Sequence, residues 1–229
     1  MLSIDGRTEQ EIAWAGEHGN EYNKRAPGDP EANYALFQKA LNITVGPHVS
    51  HKGLSYGNHP GAIVWADPPI ATILELGAGT GANVRALNRL YPSAHITAVE
   101  LNRQACETLQ ATTPARVVNA NVLDWEPDGV YDLVVTKGLL IHIHPDELVR
   151  VYETIMRAAG RWVLIAEYYN PTPVNVIYRG RDDLLWKRDF AGDLLDRYGT
   201  ELRLRDYGFV YRRDRHPQDD ITWFLLEKV

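Results

Sequence analysis

From residue 71 onward, short apolar runs alternate with stretches of helical composition, and this alternation is the feature that most restricts the fold. Strand-like runs occupy residues 72–76, 96–100, 116–118, 131–136 and 162–167. Helical stretches lie at 82–91, 103–110 and 146–159. Strands that alternate with helices form a parallel sheet with helices on both faces, so the chain is predicted to be an α/β protein.

The end of the chain breaks this alternation. A helical stretch at 189–198 precedes two longer strand-like runs at 201–212 and 221–228, which a polar turn joins. An antiparallel pair at the edge of an otherwise parallel sheet is a common arrangement. The sequence therefore predicts a mostly parallel sheet that ends in an antiparallel strand pair.

A glycine-rich loop with the sequence E-L-G-A-G-T-G occupies residues 75–81, where the first strand meets the first helix. Glycines let the backbone turn sharply and approach a ligand, and the helix N-terminus offers free N–H donors. The next strand ends at Glu100, 23 residues after Gly77, where a carboxylate can accept both hydroxyls of a ribose. Together these features predict a cofactor that contains adenosine.

The loop alone leaves the cofactor open. Gly77, Gly79 and Ala82 also fit the G-x-G-x-x-A pattern of dinucleotide-binding proteins, so an NAD-dependent oxidoreductase is one alternative. Against it, Glu75 lies two residues before the first glycine, where it can face a cationic ligand rather than a pyrophosphate. Roughly 70 residues also precede the first strand, whereas a dinucleotide fold usually starts near it.

The segment 75–81 resembles motif I of the class I S-adenosylmethionine-dependent methyltransferases, and the order of elements is similar to their seven-stranded, Rossmann-like sheet. This resemblance implies S-adenosylmethionine as cofactor, with the glycines near its methionine part, Glu100 at the ribose and Asn121 beside the adenine. The residues that it implies in cofactor binding are Glu75, Gly77, Ala78, Gly79, Gly81, Glu100, Leu101, Asn121, Val122, Leu123 and Lys137. A protein that binds this cofactor without catalysis is a further alternative.

A second resemblance covers nearly the whole chain. It is to the pseudaminic acid biosynthesis-associated methylases, and the segments that carry it are 8–22, 136–145, 166–173, 178–180, 187–192 and 218–223. His144 stands where that family has an asparagine, and the segment 44–70 is longer. The resemblance therefore leaves natural-product and other sugar pathways open as sources of the substrate.

Methyl transfer requires an acceptor atom held in line with the methyl group and, where needed, a base that removes its proton. In open α/β sheets, ligands bind beyond the carboxyl ends of the strands. The residues that follow the fourth and fifth strands are Lys137, His142, His144, Glu167, Tyr168, Tyr169 and Asn170. His142 is the leading candidate for the base, and Lys137 and His144 are further catalytic candidates. His142 could also cap the following helix or pack in the loop. Two histidines without a third ligand do not predict a metal site.

A cluster of basic and aromatic residues lies between the fifth strand and the next helix. It consists of Tyr178, Arg179, Arg181, Lys187 and Arg188. Guanidinium groups suit carboxylates and phosphates, so this cluster predicts a small anionic substrate such as a sugar acid, a nucleotide sugar or a phosphonate, methylated at oxygen or nitrogen. Arg179 and Lys187 are the preferred binders. The alternative is a solvated surface paired with neighbouring aspartates.

The chain divides into residues 1–70 and the methyltransferase domain 71–229. In the first part, helical stretches at 9–25 and 31–41 carry Trp14, Tyr22 and Arg25, which we expect to close over the cofactor as a lid. Tyr22 is also a candidate for contact with the acceptor. Packing in a docked helix is the alternative for both aromatic residues. The segment 44–70 is rich in glycine, proline and histidine, and we interpret its histidines as loop residues.

The charge balance restricts the partners. The chain has 24 Lys and Arg against 30 Asp and Glu, a formal charge of −6, which argues against nucleic-acid binding through a broad basic face. No apolar run approaches the roughly 20 residues that cross a bilayer, so no membrane association is predicted. With one cysteine and no visible signal peptide, the expected location is cytoplasmic.

Overall fold

The computed structural model describes residues 7–25, 28–41 and 70–229, and its central feature is a seven-stranded sheet. The strands of this sheet are β1 (Thr72–Leu76), β2 (His95–Glu100), β3 (Arg116–Asn119), β4 (Tyr131–Lys137), β5 (Ala159–Glu167), β8 (Leu202–Val210) and β9 (Ile221–Lys228). Their spatial order is β3-β2-β1-β4-β5-β9-β8, with the first five parallel. β9 is antiparallel to β5 and β8 is antiparallel to β9, which confirms the predicted fold class.

Seven α-helices accompany the sheet in the described part of the chain. They are α1 (Glu9–Ala15), α2 (Glu17–Arg25), α3 (Pro30–Ala40), α4 (Ala82–Leu90), α5 (Arg103–Thr112), α6 (Leu148–Ala158) and α7 (Phe190–Tyr198). The helical stretch predicted over 9–25 is divided in two, because Gly16 leaves helical geometry with φ −100° and ψ −147°. The helix predicted from 146 begins instead as a short 3₁₀ turn, Pro145–Glu147.

The core lies on both faces of the sheet. Alternate residues of β4 point to opposite sides, so Val134 packs with α6 and α7 while Leu133 and Val135 pack with α3 and α4. Phe37 of α3 is fully buried, and burial of such a side chain contributes about 1.5–3 kcal/mol. The helix α3 therefore packs in the hydrophobic core on one face of the sheet. The domain boundary at residue 70 stays a prediction.

Two features of the connections position the site. β1 lies between β2 and β4, so the loops after β1 and β4 leave neighbouring strands at one edge of the sheet, where a crevice opens. An element that sequence patterns did not predict is a hairpin over residues 174–187, in which β6 (Val174–Asn175) pairs with β7 (Trp186–Lys187).

In the ranges that the structure describes, no helix is long and apolar enough to span a bilayer. Residues 44–69 of the predicted loop, with His48, His51 and His59, lie outside those ranges.

Candidate functional site

A cavity of about 880 Å³, part of it open to solvent, lies at the carboxyl edge of β1, β2 and β4. The N-terminal helices α1 and α2 form one wall, and the turn after β4 forms another. The candidate residues that line it are Trp14, Tyr22, Gly77, Gly79, Glu100, Leu101, Asn121, Val122, Leu123, His142 and His144. Segments that are far apart in sequence thus meet at the edge that the strand order predicts.

The glycine loop adopts conformations that favour glycine. Gly77, Gly79 and Gly81 have φ angles of +71°, +53° and +85°. A Cβ atom on Gly77 would lie 2.7 Å from Cδ1 of Leu139, whereas nothing lies within 4 Å of one on Gly79. Gly79 therefore leaves room for a ligand. Four of the cofactor candidates do not line the cavity: Glu75, Ala78, Gly81 and Lys137.

Glu100 fixes the end of β2 beside this loop. Its carboxylate accepts hydrogen bonds from the backbone N–H of Gly79 at 2.8 Å and of Asn102 at 2.7 Å. Burial raises the pKa of Glu100, and these backbone donors oppose that effect. A carboxylate at the end of β2 can accept hydrogen bonds from hydroxyl groups of a ligand in the cavity.

Glu75 is a buried carboxylate at the end of β1. One oxygen accepts a hydrogen bond from Nδ2 of Asn83 at 2.6 Å, while the other, Oε2, is buried without a hydrogen-bond partner among the described residues. Burial raises the pKa of Glu75 to about 8, and the nearby Lys137 lowers it. With a pKa of about 8, Glu75 is protonated at pH 7, and its unpaired oxygen fits a hydrogen-bond donor of a ligand or a positive charge that would favour the ionised form.

The turn after β3 is tied to the N-terminal helices. Nδ2 of Asn121 donates to Glu11 and, at 3.1 Å, to Asp124, while its Oδ1 accepts from the N–H of Leu123 at 3.1 Å. Glu11 also completes a capping box with Thr8 at the start of α1. The first helix is therefore anchored over this side of the cavity.

A second link holds α1 and α2 in place. Nδ2 of Asn102 donates to the Trp14 carbonyl at 3.1 Å and to Oδ1 of Asn20 at 2.8 Å. The rings of Trp14 and Tyr22 meet edge to face at 5.2 Å. Arg25 lies at the exposed end of α2 and does not line the cavity.

Glu167 holds the turn that carries His142. Its carboxylate accepts hydrogen bonds from the backbone N–H groups of Leu139, Leu140 and Ile141 at 3.1, 3.2 and 3.5 Å. Burial raises the pKa of Glu167 to about 7. Glu167 ends β5, at the edge where the sequence predicts that the strand ends converge. Its hydrogen bonds to the turn after β4 are visible only in the tertiary structure.

His142 is fixed in one orientation. Its Nδ1 lies 2.7 Å from the Leu184 carbonyl and so donates to it, which leaves Nε2 as an acceptor in the neutral ring. Burial lowers the pKa of His142 to about 4, so the ring is neutral at pH 7. The neighbouring His144 accepts from the N–H of Asp146 at 3.3 Å, and it is therefore His144 that caps the following 3₁₀ turn.

Aromatic and cationic side chains border the far side of the turn that carries His142. The His142 ring lies 4.3 Å from Trp14 and 5.9 Å from Tyr178 between ring centroids. The ammonium of Lys187 lies 5.1 Å from the centre of the Tyr168 ring. Lys137 is half-buried near Glu75 and Glu167, and desolvation of its ammonium lowers its pKa.

Three substrate candidates are engaged elsewhere. Arg188 pairs with Asp193 of α7, with Nε 2.7 Å from the carboxylate. Tyr169 is 39% exposed and contacts Phe224 on the sheet at 5.8 Å between ring centroids. Asn170 donates to the carbonyl of Thr172. The roles predicted for individual site residues stay predictions.

The sequence and the fold are similar to those of known proteins. Residues 73–160 match the sequence profile of a family described as a methyltransferase domain. A search of curated proteins gave no significant match. The plantazolicin methyltransferase BpumL, solved in complex with SAH, is a similar structure with 11% identity and a TM-score of 0.62, covering 96% of this chain and 93% of its own.

Two further structures are similar over most of their length. The Burkholderia thailandensis 1,6-didemethyltoxoflavin-N1-methyltransferase is 16% identical, with a TM-score of 0.62, covering 93% of this chain and 83% of its own. The magnesium protoporphyrin IX methyltransferase ChlM from Synechocystis PCC 6803 is 14% identical, with a TM-score of 0.62, covering 96% of this chain and all of its own (100%).

The fold is thus that of the class I S-adenosylmethionine-dependent methyltransferases. Residues 73–160 of the chain match a methyltransferase domain, and structures named as methyltransferases share its fold. The matching region spans the glycine loop and Glu100, and it favours the methyltransferase interpretation of that loop over the dinucleotide interpretation.

Proposed function

We propose that this protein transfers a methyl group from S-adenosylmethionine to an oxygen or nitrogen of a small, polar, anionic metabolite. The observation that carries the proposal is the single cavity in which the glycine loop, Glu100 and the Asn121 turn meet Trp14, Tyr22 and His142. Such a cavity offers one part to the cofactor and another to the acceptor.

The residues of the cofactor part fit S-adenosylmethionine. The orphaned oxygen of Glu75 suits its cationic methionine end, the open space at Gly79 admits the chain, and Glu100 can hold the ribose. Asn121, Val122 and Leu123 would border the adenine, as the resemblance implies. The plantazolicin, didemethyltoxoflavin and magnesium protoporphyrin enzymes were all solved with SAH, which supports this cofactor.

The acceptor class rests on charge and on resemblance. Lys187 and Arg179 do not line the cavity, but they lie over Tyr168 and Tyr178, and the Tyr178 ring is 5.9 Å from His142. Cationic groups there favour an anion. The similar structures are named for plantazolicin, 1,6-didemethyltoxoflavin and magnesium protoporphyrin IX, so they support no single substrate. The resemblance to the pseudaminic acid biosynthesis-associated methylases favours a sugar acid among the anionic candidates.

When bound, S-adenosylmethionine supplies an electrophilic methyl group on a positively charged sulfur. The neutral His142 can accept the proton of the acceptor at Nε2, because the Leu184 carbonyl fixes the opposite nitrogen as a donor. Trp14 and Tyr22 on the N-terminal helices would exclude water from the reacting atoms.

The buried, free Cys106 is compatible with the cytoplasmic location predicted from the sequence.

Titration calorimetry with S-adenosylhomocysteine tests the cofactor part. We expect the parent protein to bind it and not NADH, and Glu100→Ala to lose about tenfold or more in affinity, since hydrogen bonds to charged groups contribute about 1.5–3 kcal/mol. The control Glu107→Ala removes an exposed carboxylate of α5 and should leave the affinity unchanged. Equal affinities of the two variants would contradict the assignment of Glu100.

Methyl transfer itself is tested with a panel of sugar acids, nucleotide sugars and phosphonates, by measuring formation of S-adenosylhomocysteine. Turnover that Glu100→Ala abolishes would reject a purely ligand-binding role. Absence of turnover on every panel member, despite tight cofactor binding, would favour the non-catalytic alternative.

The base is tested separately with an active acceptor. We expect His142→Ala to lower kcat by about 10²-fold or more, the usual contribution of a positioned base. His95→Ala is the control, because His95 is exposed at the start of β2, at the opposite end of that strand from the cavity, and does not line the cavity. Unchanged turnover of His142→Ala across pH 6–8 would exclude His142 as the base.

A further inference from the structure

Two polar atoms in the aromatic cluster beside the cavity lack partners. Nε1 of Trp14 and Nε2 of His18 are both buried without a hydrogen-bond partner among the described residues. The two rings meet at right angles with centroids 5.0 Å apart, so the two nitrogens belong to one cluster. The indole N–H can only donate, and a buried unpaired donor is unfavourable. Both groups fit a ligand oxygen.

The hairpin over residues 174–187 brings positive charge to the same place. The His18 ring lies 6.3 Å from that of Tyr178, which precedes Arg179 at the tip of the hairpin. The Arg179 guanidinium lies 5.3 Å from the centre of the Tyr178 ring. Burial lowers the pKa of His18, and the charges of Arg179, Arg181 and Arg25 lower it further. Arg181 is engaged by Asp183 of the same hairpin, at 2.8 Å from Nε.

The conformation of Arg179 is unusual. Tyr178 and Arg181 exchange backbone hydrogen bonds of 2.7 and 3.1 Å, so Arg179 and Gly180 form a two-residue turn. Their φ angles are +54° and +78°, the positive pair that a type I′ turn requires and that asparagine followed by glycine adopts best. Arginine in this conformation costs of order 1 kcal/mol, and such strain is concentrated at functional sites.

We propose that His18, Trp14 and Arg179 form a subsite that binds the oxyanion of the acceptor, a carboxylate or a phosphoryl group. This inference rests on the proposed function, since it assigns a place to the anion of that acceptor. The neighbouring His142 ring, 4.3 Å from Trp14, would then face the hydroxyl or amino group to be methylated. Gln10 of α1 donates to the Asp183 carbonyl at 2.7 Å, so the helices and the hairpin hold the subsite together.

Calorimetry on the full chain saturated with S-adenosylhomocysteine tests the subsite with three probes: glucuronate, glucose 6-phosphate and uncharged glucose. We expect at least one anionic probe to bind about tenfold or more tightly than glucose. Preference for glucuronate identifies a carboxylate site, and preference for the phosphate ester identifies a phosphoryl site. Equal affinities for all three probes, or binding of none, would overturn the inference.

Variants separate recognition from folding. Arg179→Asn places the favoured residue in the turn, so we expect unchanged or higher thermal stability together with about fivefold or greater loss of anion affinity. His18→Phe keeps the ring contacts and should lose affinity similarly. Arg197→Gln, which removes a guanidinium paired with Glu153 in the last turn of α7, is the control and should change affinity less than twofold. An equal loss in Arg197→Gln would show only a general charge effect and would refute the assignment.

The results distinguish a wrong methyltransferase function from a wrong oxyanion subsite. If the protein does not bind S-adenosylhomocysteine, the proposed function itself is wrong. If it binds S-adenosylhomocysteine and methylates a member of the panel, but Arg179→Asn and His18→Phe bind the anionic probes like the parent, only the oxyanion subsite is wrong.

Discussion

Glu167→Gln should change the pH dependence of stability in a direction that the structure fixes. The Glu167 side chain is 2% exposed and accepts three backbone N–H groups from the turn that carries His142. Glutamine has nearly the same shape and keeps a carbonyl oxygen that can accept from Leu139 and Leu140, but it does not titrate. The comparison therefore isolates the ionisation of one buried carboxyl group.

The sign and size follow from the pKa of Glu167. Burial raises this pKa from its ordinary value of 4.5 to about 7, so between these values the folded protein binds a proton that the unfolded chain has released. The corresponding stability is present below pH 4.5 and is lost as pH rises through about 7. At about 1.4 kcal/mol per pH unit, the parent should lose about 2.5 kcal/mol relative to Glu167→Gln between pH 5 and pH 8.

Urea unfolding of both proteins at pH 5, 6, 7 and 8, with S-adenosylhomocysteine absent, measures this difference. Glu107→Gln is the control, because it removes a carboxylate whose side chain is 63% exposed. Glu75→Gln should behave like Glu167→Gln, with the loss extending to about pH 8 because burial raises the Glu75 pKa to that value. A parent–variant difference that stays constant from pH 5 to pH 8 would refute the buried, proton-holding state of Glu167.

Three further predictions concern the loop, a cap and the core. In urea unfolding, Gly77→Ala should lower the free energy of unfolding by about 1–2 kcal/mol through its positive φ. It should lose more because its Cβ would lie 2.7 Å from Leu139. Gly79→Ala has a similar φ but open space around its Cβ, so its loss should be smaller. Thr8→Ala removes a capping box and should increase amide hydrogen exchange in α1, with a cost of about 1 kcal/mol; unchanged exchange there would contradict it. Leu87→Ala, at a fully buried position of α4, should cost about 2–5 kcal/mol, and a loss under 1 kcal/mol would show that this core position is loosely packed.

The order of elements was accessible from the sequence because the apolar periodicity of each segment is a local property. The glycine loop and the distance to Glu100 predicted the cofactor edge for the same reason. The hairpin at 174–187 was not predicted, since β6 and β7 have only two residues each and such short runs show no periodicity. The break at Gly16 was missed as well, because glycine in a helical stretch lowers helix propensity without fixing where the helix ends.

The sequence by itself determined the α/β sheet, its antiparallel end and the strand edge at which the cavity lies. It could not assign the side chains to individual tasks. His142 and His144 are two residues apart and of the same type, yet one donates to the Leu184 carbonyl of a distant hairpin while the other caps its own loop. Arg179 and Arg181 differ in the same way, since only Arg181 has Asp183 to pair with. Periodicity reports which face of an element is buried, but hydrogen-bond partners are set by contacts across the fold, and only the tertiary structure decides them.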